Sequence, residues 1–176
     1  MQTEPISKPV DDIELFHRVR SFLTREAELI DARKFDDWKE LMTEDLEYKI
    51  PVRATRGENT HEDDFLDMHH VEDTKYRLEK RINRLNTEYS WSEQPPSRTR
   101  HLISNVQVGN RDADDEYTVK SNLLLYVSEG DDPDHKLLSG RRHDVVREVN
   151  GSLKLARRII HLDNTTLPLD RISIFI

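Results

Sequence analysis

The sequence predicts an α+β domain in which N-terminal helices pack on one face of a mainly antiparallel sheet. Apart from one alternating run at Leu46 to Val52, apolar residues before Leu85 recur at three- and four-residue steps, the helical period, whereas those after Arg100 alternate, the strand period. A third observation is the pair Asn150 and Gly151 between two alternating runs. Both accept the positive φ of a two-residue type I′ turn, which makes it the tightest hairpin signal in the chain. Helices gathered first and strands after them imply one layer of helices on one sheet.

The elements follow in order. Residues 1–10 hold two prolines and no periodicity, so they are expected to form a flexible arm, with a single domain over residues 11–176. Ile13, Phe16, Val19, Phe22 or Leu23, Ala27 and Ile30 mark an amphipathic helix capped by Asp11 or Asp12, with Arg18, Arg25 and Glu28 on its wet face. After a break near Lys34, Phe35, Trp38, Leu41 and Met42 mark a short helical turn. Leu46, Tyr48, Ile50 and Val52 then alternate, and Pro51 among them makes this strand an edge or the site of a bulge. Gly57 to Asp67 reads as an acidic surface loop, with a helical turn considered around Phe65 to Met68. Val71, Leu78, Ile82 and Leu85 share a helix face whose remainder, Lys75, Arg77, Lys80, Arg81 and Arg84, is basic.

Trp91 to Val108 is the hinge of the chain. Its first half is polar and broken by Pro95 and Pro96, and its second half alternates, so it reads as a loop that delivers Arg98, Arg100 and His101 into a strand. Four strands then suit a meander: Leu102 to Val108, Tyr117 to Val127, Leu137 to Val149 and Leu153 to Asp163. The apolar tail ending at Phe175 and Ile176 should be tucked into the domain or a neighbouring subunit.

Composition removes several function classes. Charged residues are 35% of the chain and hydrophobic ones 35%, so the core should be small and partly covered by a partner. A net charge of −8 without a lysine-rich run offers a nucleic acid backbone little to bind. The absence of cysteine excludes a disulfide framework, a Cys-ligated zinc, a thiol nucleophile and a cysteine-held iron–sulfur cluster in this chain. No apolar run approaches the ~20 residues that span a bilayer, and the first residues lack a signal peptide's pattern, so a cytoplasmic location is expected.

The run Pro95, Pro96, Ser97, Arg98, Thr99, Arg100, His101, Leu102, Ile103, Ser104, Asn105, Val106 closely resembles a segment of the beta, or small, subunit of Rieske-type aromatic-ring-hydroxylating dioxygenases. So do Ala27 to Asp31, Gly140 to Arg147 and Arg157 to Asp163, and the resemblance runs from about Asp12 to Ile176. It implies an NTF2-like, scytalone dehydratase-like cone, its N-terminal helices packed on a curved, mainly antiparallel sheet. It also implies a non-catalytic subunit in a hexamer of three alpha and three beta chains, with no cofactor of its own. The Rieske [2Fe-2S] cluster and mononuclear Fe(II) would sit in the alpha subunit. That complex would take electrons from NAD(P)H through a reductase and often a ferredoxin, and convert an aromatic ring to a cis-dihydrodiol with O2.

Several side chains are candidates for chemistry or contact. His69 and His70 lie near Asp67, Glu72 and Asp73, but adjacent helical positions diverge by about 100° and nothing specifies a third iron ligand. His101, His143, Asp144, His161 and Asp163 fall on strands, where an inward His/Asp pair would suit a stand-alone dehydratase or isomerase. The competing expectation pairs Arg142, Asp144, Arg157 and Arg158 across strands as structural ion pairs. An aromatic and arginine-rich loop suits protein contact, so Trp91, Arg98, Arg100 and His101 are candidate subunit-interface residues, together with Arg142 and the tail residue Phe175.

Overall fold

The computed structural model describes residues 11–54, 65–85, 96–110, 115–169 and 174–176. Three helices precede or interrupt six strands: α1 (Ile13–Asp31), α2 (Phe35–Lys39), β1 (Met42–Arg53), β2 (Phe65–Thr74), α3 (Lys75–Leu85), β3 (Arg98–Asn110), β4 (Glu116–Ser128), β5 (His135–Val149) and β6 (Ser152–Leu162). They make one sheet in the order β2-β1-β6-β5-β4-β3.

Asp12 caps α1, its carboxylate accepting from the Leu15 backbone N–H at 3.0 Å. Leu15, Val19, Phe22, Leu23, Ala27 and Ile30 form the buried stripe. Ile13 departs from expectation: at the helix start it lies beyond the reach of the sheet and is 76% exposed. Arg33, at φ 55, ends the helix and turns the chain into α2.

β3 to β6 form the expected antiparallel meander, and Asn150 (φ 51) and Gly151 (φ 76) close its last hairpin in the left-handed region. β1 then lies parallel to β6 and antiparallel to β2, so it is interior to the sheet rather than an edge. Pro51 is accommodated by the other route, register shifts on both of its sides.

Residues 65–74 correct the sequence reading. They are a strand, not the end of a loop or a helical turn, and Val71 belongs to β2 opposite Ile50 rather than to α3. β2 is an edge strand, and edges carry charge on positions an interior strand would fill with apolar residues, which erases the alternation. β3 likewise begins at Arg98, so Arg98 and Arg100 stand on the strand with His101 instead of in the loop before it. Trp91 lies outside the described residues.

Alternation on the meander sends Leu123, Leu125 and Val127 of β4 and Leu138 of β5 inward, where they join the α1 stripe, Trp38, Tyr48, Leu78 and Ile82 in one core. Phe175 and Ile176 lie in that same core, at 2% and 1% exposure. The tail is therefore tucked into its own domain.

Candidate functional site

The interior between α1 and the sheet holds a closed group of charges. Glu26 sits on the apolar stripe of α1, one turn after Phe22 and one before Ile30, and so points at the sheet. Arg158 of β6 reaches it with Nη1 to Oε1 at 2.6 Å and Nη2 to Oε2 at 2.8 Å. The same guanidinium grips Asp144, its register partner on β5, through Nε and Nη2 at 2.8 Å each. Arg142 donates to Glu26 at 2.8 Å, and the Trp38 indole N–H to the same carboxylate at 3.2 Å.

All four charged side chains are at most 1% exposed. Burial pushes the Glu26 carboxyl up, but the Arg158 and Arg142 guanidiniums outweigh it and hold the group down at about 2. Two carboxylates and two guanidiniums thus face one another in an arrangement that binds helix to sheet, with Arg142 Nε, 3.9 Å from Asp144, the one guanidinium nitrogen of the group left without a hydrogen-bond partner among the described residues.

A second group closes the same interior beside the tail. The His101 Nδ1 lies 2.6 Å from Asp31 Oδ1 at the end of α1, and its Nε2 lies 3.1 Å from the Phe175 carbonyl oxygen. The His101 backbone N–H and the Thr99 hydroxyl also donate to Asp31, at 3.0 and 2.9 Å. Burial raises the Asp31 carboxyl, and these His101 and Thr99 contacts more than reverse it. The Phe175 ring packs on Phe35 and Trp38, Arg81 lies over it, and the Tyr48 hydroxyl donates to the Ile176 carbonyl. The space remaining beside Phe175 is about 20 Å³, room for one water.

These positions sort the sequence candidates. A His/Asp pair does form, but His101 takes Asp31, which the sequence reading passed over, and the His101 side chain is fully buried. Asp144 is bound to Arg158 as the structural alternative expects, and Arg157 lies 3.6 Å from Glu47, its register partner on β1. His143 and His161 face the other side of the sheet, their rings 5.2 Å apart, and Asp163 accepts from Ser139 at the surface. Burial, with His143 and Arg53 nearby, pushes His161 down to about 4.

His69 and His70 lie on β2 where its register with β1 shifts between Ile50 and Pro51, and His69 Nδ1 stands 3.8 Å from Glu72. Among the described residues no three His, Asp or Glu side chains converge in a metal-binding cluster.

The interface expectation is corrected for three residues. His101, Arg142 and Phe175 are buried within the chain, and a side chain without free surface makes no direct contact with a partner. Arg100 projects with 73% of its side chain exposed, and Arg98 donates to the Gly130 carbonyl at 2.7 Å on the outer surface. Glu26 and Trp38 had a legible signal only in part: a lone carboxylate inside an apolar stripe.

The family profile described as "Ring hydroxylating beta subunit" matches residues 25–169. This chain belongs to that family. The beta subunit of 3-phenylpropionate/cinnamic acid dioxygenase from Photorhabdus laumondii subsp. laumondii is 36% identical over 165 residues, 92% of this chain and 91% of that one. A solved naphthalene 1,2-dioxygenase with indole in its active site has a chain that superposes on this beta subunit at a TM-score of 0.83 and 20% identity, over 95% and 88% of the two chains. A putative scytalone dehydratase from Novosphingobium aromaticivorans superposes at 0.66 and 18% identity, over 90% and 91%. At those identities the likeness speaks for the fold: the beta subunit has the expected α+β, scytalone dehydratase-like and NTF2-like architecture. Its element order, helices on one face of a mainly antiparallel sheet, is that of the expectation. Among the described residues, no helix is long and apolar enough to cross a membrane.

Proposed function

We propose that the beta subunit serves as the structural small subunit of an aromatic-ring-hydroxylating dioxygenase and carries no reaction centre of its own. The observation that carries this is the filled interior. Where the fold could enclose a substrate, this chain places Trp38, the Glu26–Arg158–Asp144–Arg142 group, Phe175 and Ile176, and His101 is committed on both ring nitrogens. A general acid or base must reach a proton on its substrate, and His101 reaches only Asp31 and a backbone carbonyl. The stand-alone dehydratase or isomerase reading is less well supported: among the described residues the cavity of about 300 Å³ between α1 and β3, lined by Phe16, Arg20, Thr24 and Asn105, holds no His/Asp pair.

A Rieske cluster takes two cysteine and two histidine ligands, and a chain with no cysteine cannot supply them. The cluster and a mononuclear Fe(II) would belong to the large subunit, where they deliver electrons and activate O2 for cis-dihydroxylation of the ring. We assign the complex three large and three small chains, served by a reductase and in many systems a ferredoxin, and place it in the cytoplasm. Arg98, Arg100 and Trp91 remain the interface candidates on the small chain.

The test is activity with 3-phenylpropionate as the aromatic probe, supplied with O2, NAD(P)H and a reductase and ferredoxin pair. The chain co-expressed with its large subunit is expected to yield a cis-dihydrodiol, or hydroxylation of a second aromatic probe such as biphenyl, and the chain alone none. Turnover by the isolated small chain would overturn the reading.

A further inference from the structure

The His101 ring meets two oxygens, and each of them is an acceptor. Its Nδ1 lies 2.6 Å from Asp31 Oδ1 and its Nε2 lies 3.1 Å from the Phe175 carbonyl oxygen, with the side chain wholly out of solvent. A neutral imidazole has one N–H and one bare nitrogen, and the bare nitrogen needs a donor opposite it. A carbonyl cannot be that donor. A carboxyl could be one only if protonated; burial raises the Asp31 carboxyl, but the His101 side chain and backbone N–H and the Thr99 hydroxyl hold it below its ordinary range. Those same donors occupy both of its oxygens, the Thr99 hydroxyl on Oδ1 and the His101 backbone N–H on Oδ2.

The charges of this corner agree with the hydrogen bonds. The Asp31 side chain is 6% exposed, and a carboxylate taken out of water needs a cation beside it. Arg100 stands 3.9 Å away with most of its side chain in water, whereas an imidazolium at 2.6 Å supplies the charge in contact. Arg33, over the Phe35 ring, and Arg81, over the Phe175 ring, oppose a further positive charge here. Arg81 is itself paired with Asp73 at 2.7 Å, and the carboxylate in direct contact with His101 outweighs both. The other titratable group on the tail is Tyr48, whose hydroxyl donates to the Ile176 carbonyl; burial pushes it up, so it keeps its proton.

We infer that His101 is a doubly protonated imidazolium that latches the tail: its Nδ1 proton holds the end of α1 through Asp31, its Nε2 proton holds the Phe175 carbonyl, and the tail stays docked only while both are present. One ring on β3 thereby ties three segments that meet nowhere else by a side-chain hydrogen bond of this kind: helix end, strand and tail. Losing either proton turns a bare nitrogen toward an acceptor and removes the contact cation from Asp31. The sign follows from linkage. The docked tail binds one proton more than the released tail, so docking is favoured at lower pH and is lost as pH rises.

The experiment is an upward pH series on the purified full chain, in which Trp91→Phe leaves Trp38 as the sole tryptophan. The ring nitrogen NMR signals of His101 report how many protons it holds, and the emission of Trp38, on which Phe175 packs, reports whether the tail is docked. Both ring nitrogens are expected to be N–H wherever the tail is docked. Loss of one proton and a red shift of Trp38 emission are expected at a single midpoint, with the far-UV circular dichroism unchanged. Asp31→Asn takes away the contact charge and is expected to move that midpoint down by about one pH unit or more. His101→Gln is expected to abolish the step. A bare His101 nitrogen beneath a docked tail would overturn the inference, as would an emission step that survives His101→Gln or a midpoint that Asp31→Asn leaves in place. The ring reading uses the natural histidine and asparate pair and so decides the matter even where a substituted chain fails to fold.

Discussion

Glu26 and Arg158 lie 132 positions apart in sequence and meet through hydrogen bonds of 2.6 and 2.8 Å, neither side chain more than 1% exposed. Arg158 simultaneously holds Asp144 with both a 2.8 Å Nε bond and a 2.8 Å Nη2 bond, so one guanidinium fastens α1, β5 and β6 together. A planar fork with five donors can serve two carboxylates; a lysine ammonium cannot do so in the same geometry.

Removing that fork strands two carboxylates in the interior. Arg158→Ala is expected to cost roughly 3–5 kcal/mol of unfolding free energy, and Arg158→Lys a large part of it, measured by urea denaturation of the isolated chain. Replacing the whole group with apolar residues of similar volume should cost far less than Arg158→Ala, because no unpaired charge is then left behind.

Acid should unfold the chain through Glu26. Its carboxyl titrates near 4.5 when unfolded and is held at about 2 when folded, so its contribution is fully present above about pH 4.5 and drains away as pH falls from there toward 2. Glu26→Gln should flatten the fall of stability across that window. A slope there equal to that of the natural chain would show that Glu26 is not the group responsible.

His161 acts in a separate, higher window and with the same direction. Folding holds the ring at about 4 against 6.5 unfolded, so the folded chain resists its protonation, and stability declines as pH drops from 6.5 to 4. With the ring still partly in water, the effect is on the order of 1–2 kcal/mol. His161→Gln should remove that decline, read from melting temperatures at pH 7 and pH 4.5.

Phe175→Ala should leave a cavity against Phe35 and Trp38 and cost roughly 3–5 kcal/mol. The carbonyl that His101 contacts is backbone and survives the change, so the loss reports packing rather than the hydrogen bond. Retained stability would mean the tail does not fill the interior in solution.

Two glycines should respond differently to alanine. A Cβ at Gly140 would stand 2.6 Å from the His161 carbonyl oxygen, so β5 and β6 must separate, at roughly 1–3 kcal/mol. At Gly151 nothing lies within 4 Å, and Gly151→Ala should cost only the strain of φ +76, about 1 kcal/mol. Thermal melts of the two variants separate the mechanisms.

What could be read from residue order was what depends on local periodicity. The α1 stripe and the alternation of β4 each bury one face against one partner and so write that partner into the pattern, and the Asn150-Gly151 turn is written in residues that accept a positive φ. β2 escaped because an edge strand answers to two environments at once, and its run from Phe65 to Thr74 keeps apolar and charged residues without a period. The parallel pairing of β1 with β6 joins segments a hundred residues apart and has no local sign.

The interior site was legible by residue type and not by partner. Arg142, Asp144, Arg158 and His101 are recognisable in the sequence as charged or titratable positions on strands, without a sign of which face they take. Their counterparts Glu26 and Asp31 come from a helix, where carboxylates are common and usually solvated. Only the packing of α1 against the sheet decides that these two are buried, and that packing also turns three candidate interface residues into interior ones.

The central claim is that this chain contributes architecture and its partner contributes the iron. It is tested most directly by the native mass and iron content of the chain purified alone and after co-expression with its large subunit. A large iron-bearing assembly formed only on co-expression, with no iron on the small chain alone, is the result expected. Iron bound by the small chain in isolation, or no assembly with the large subunit, would contradict it.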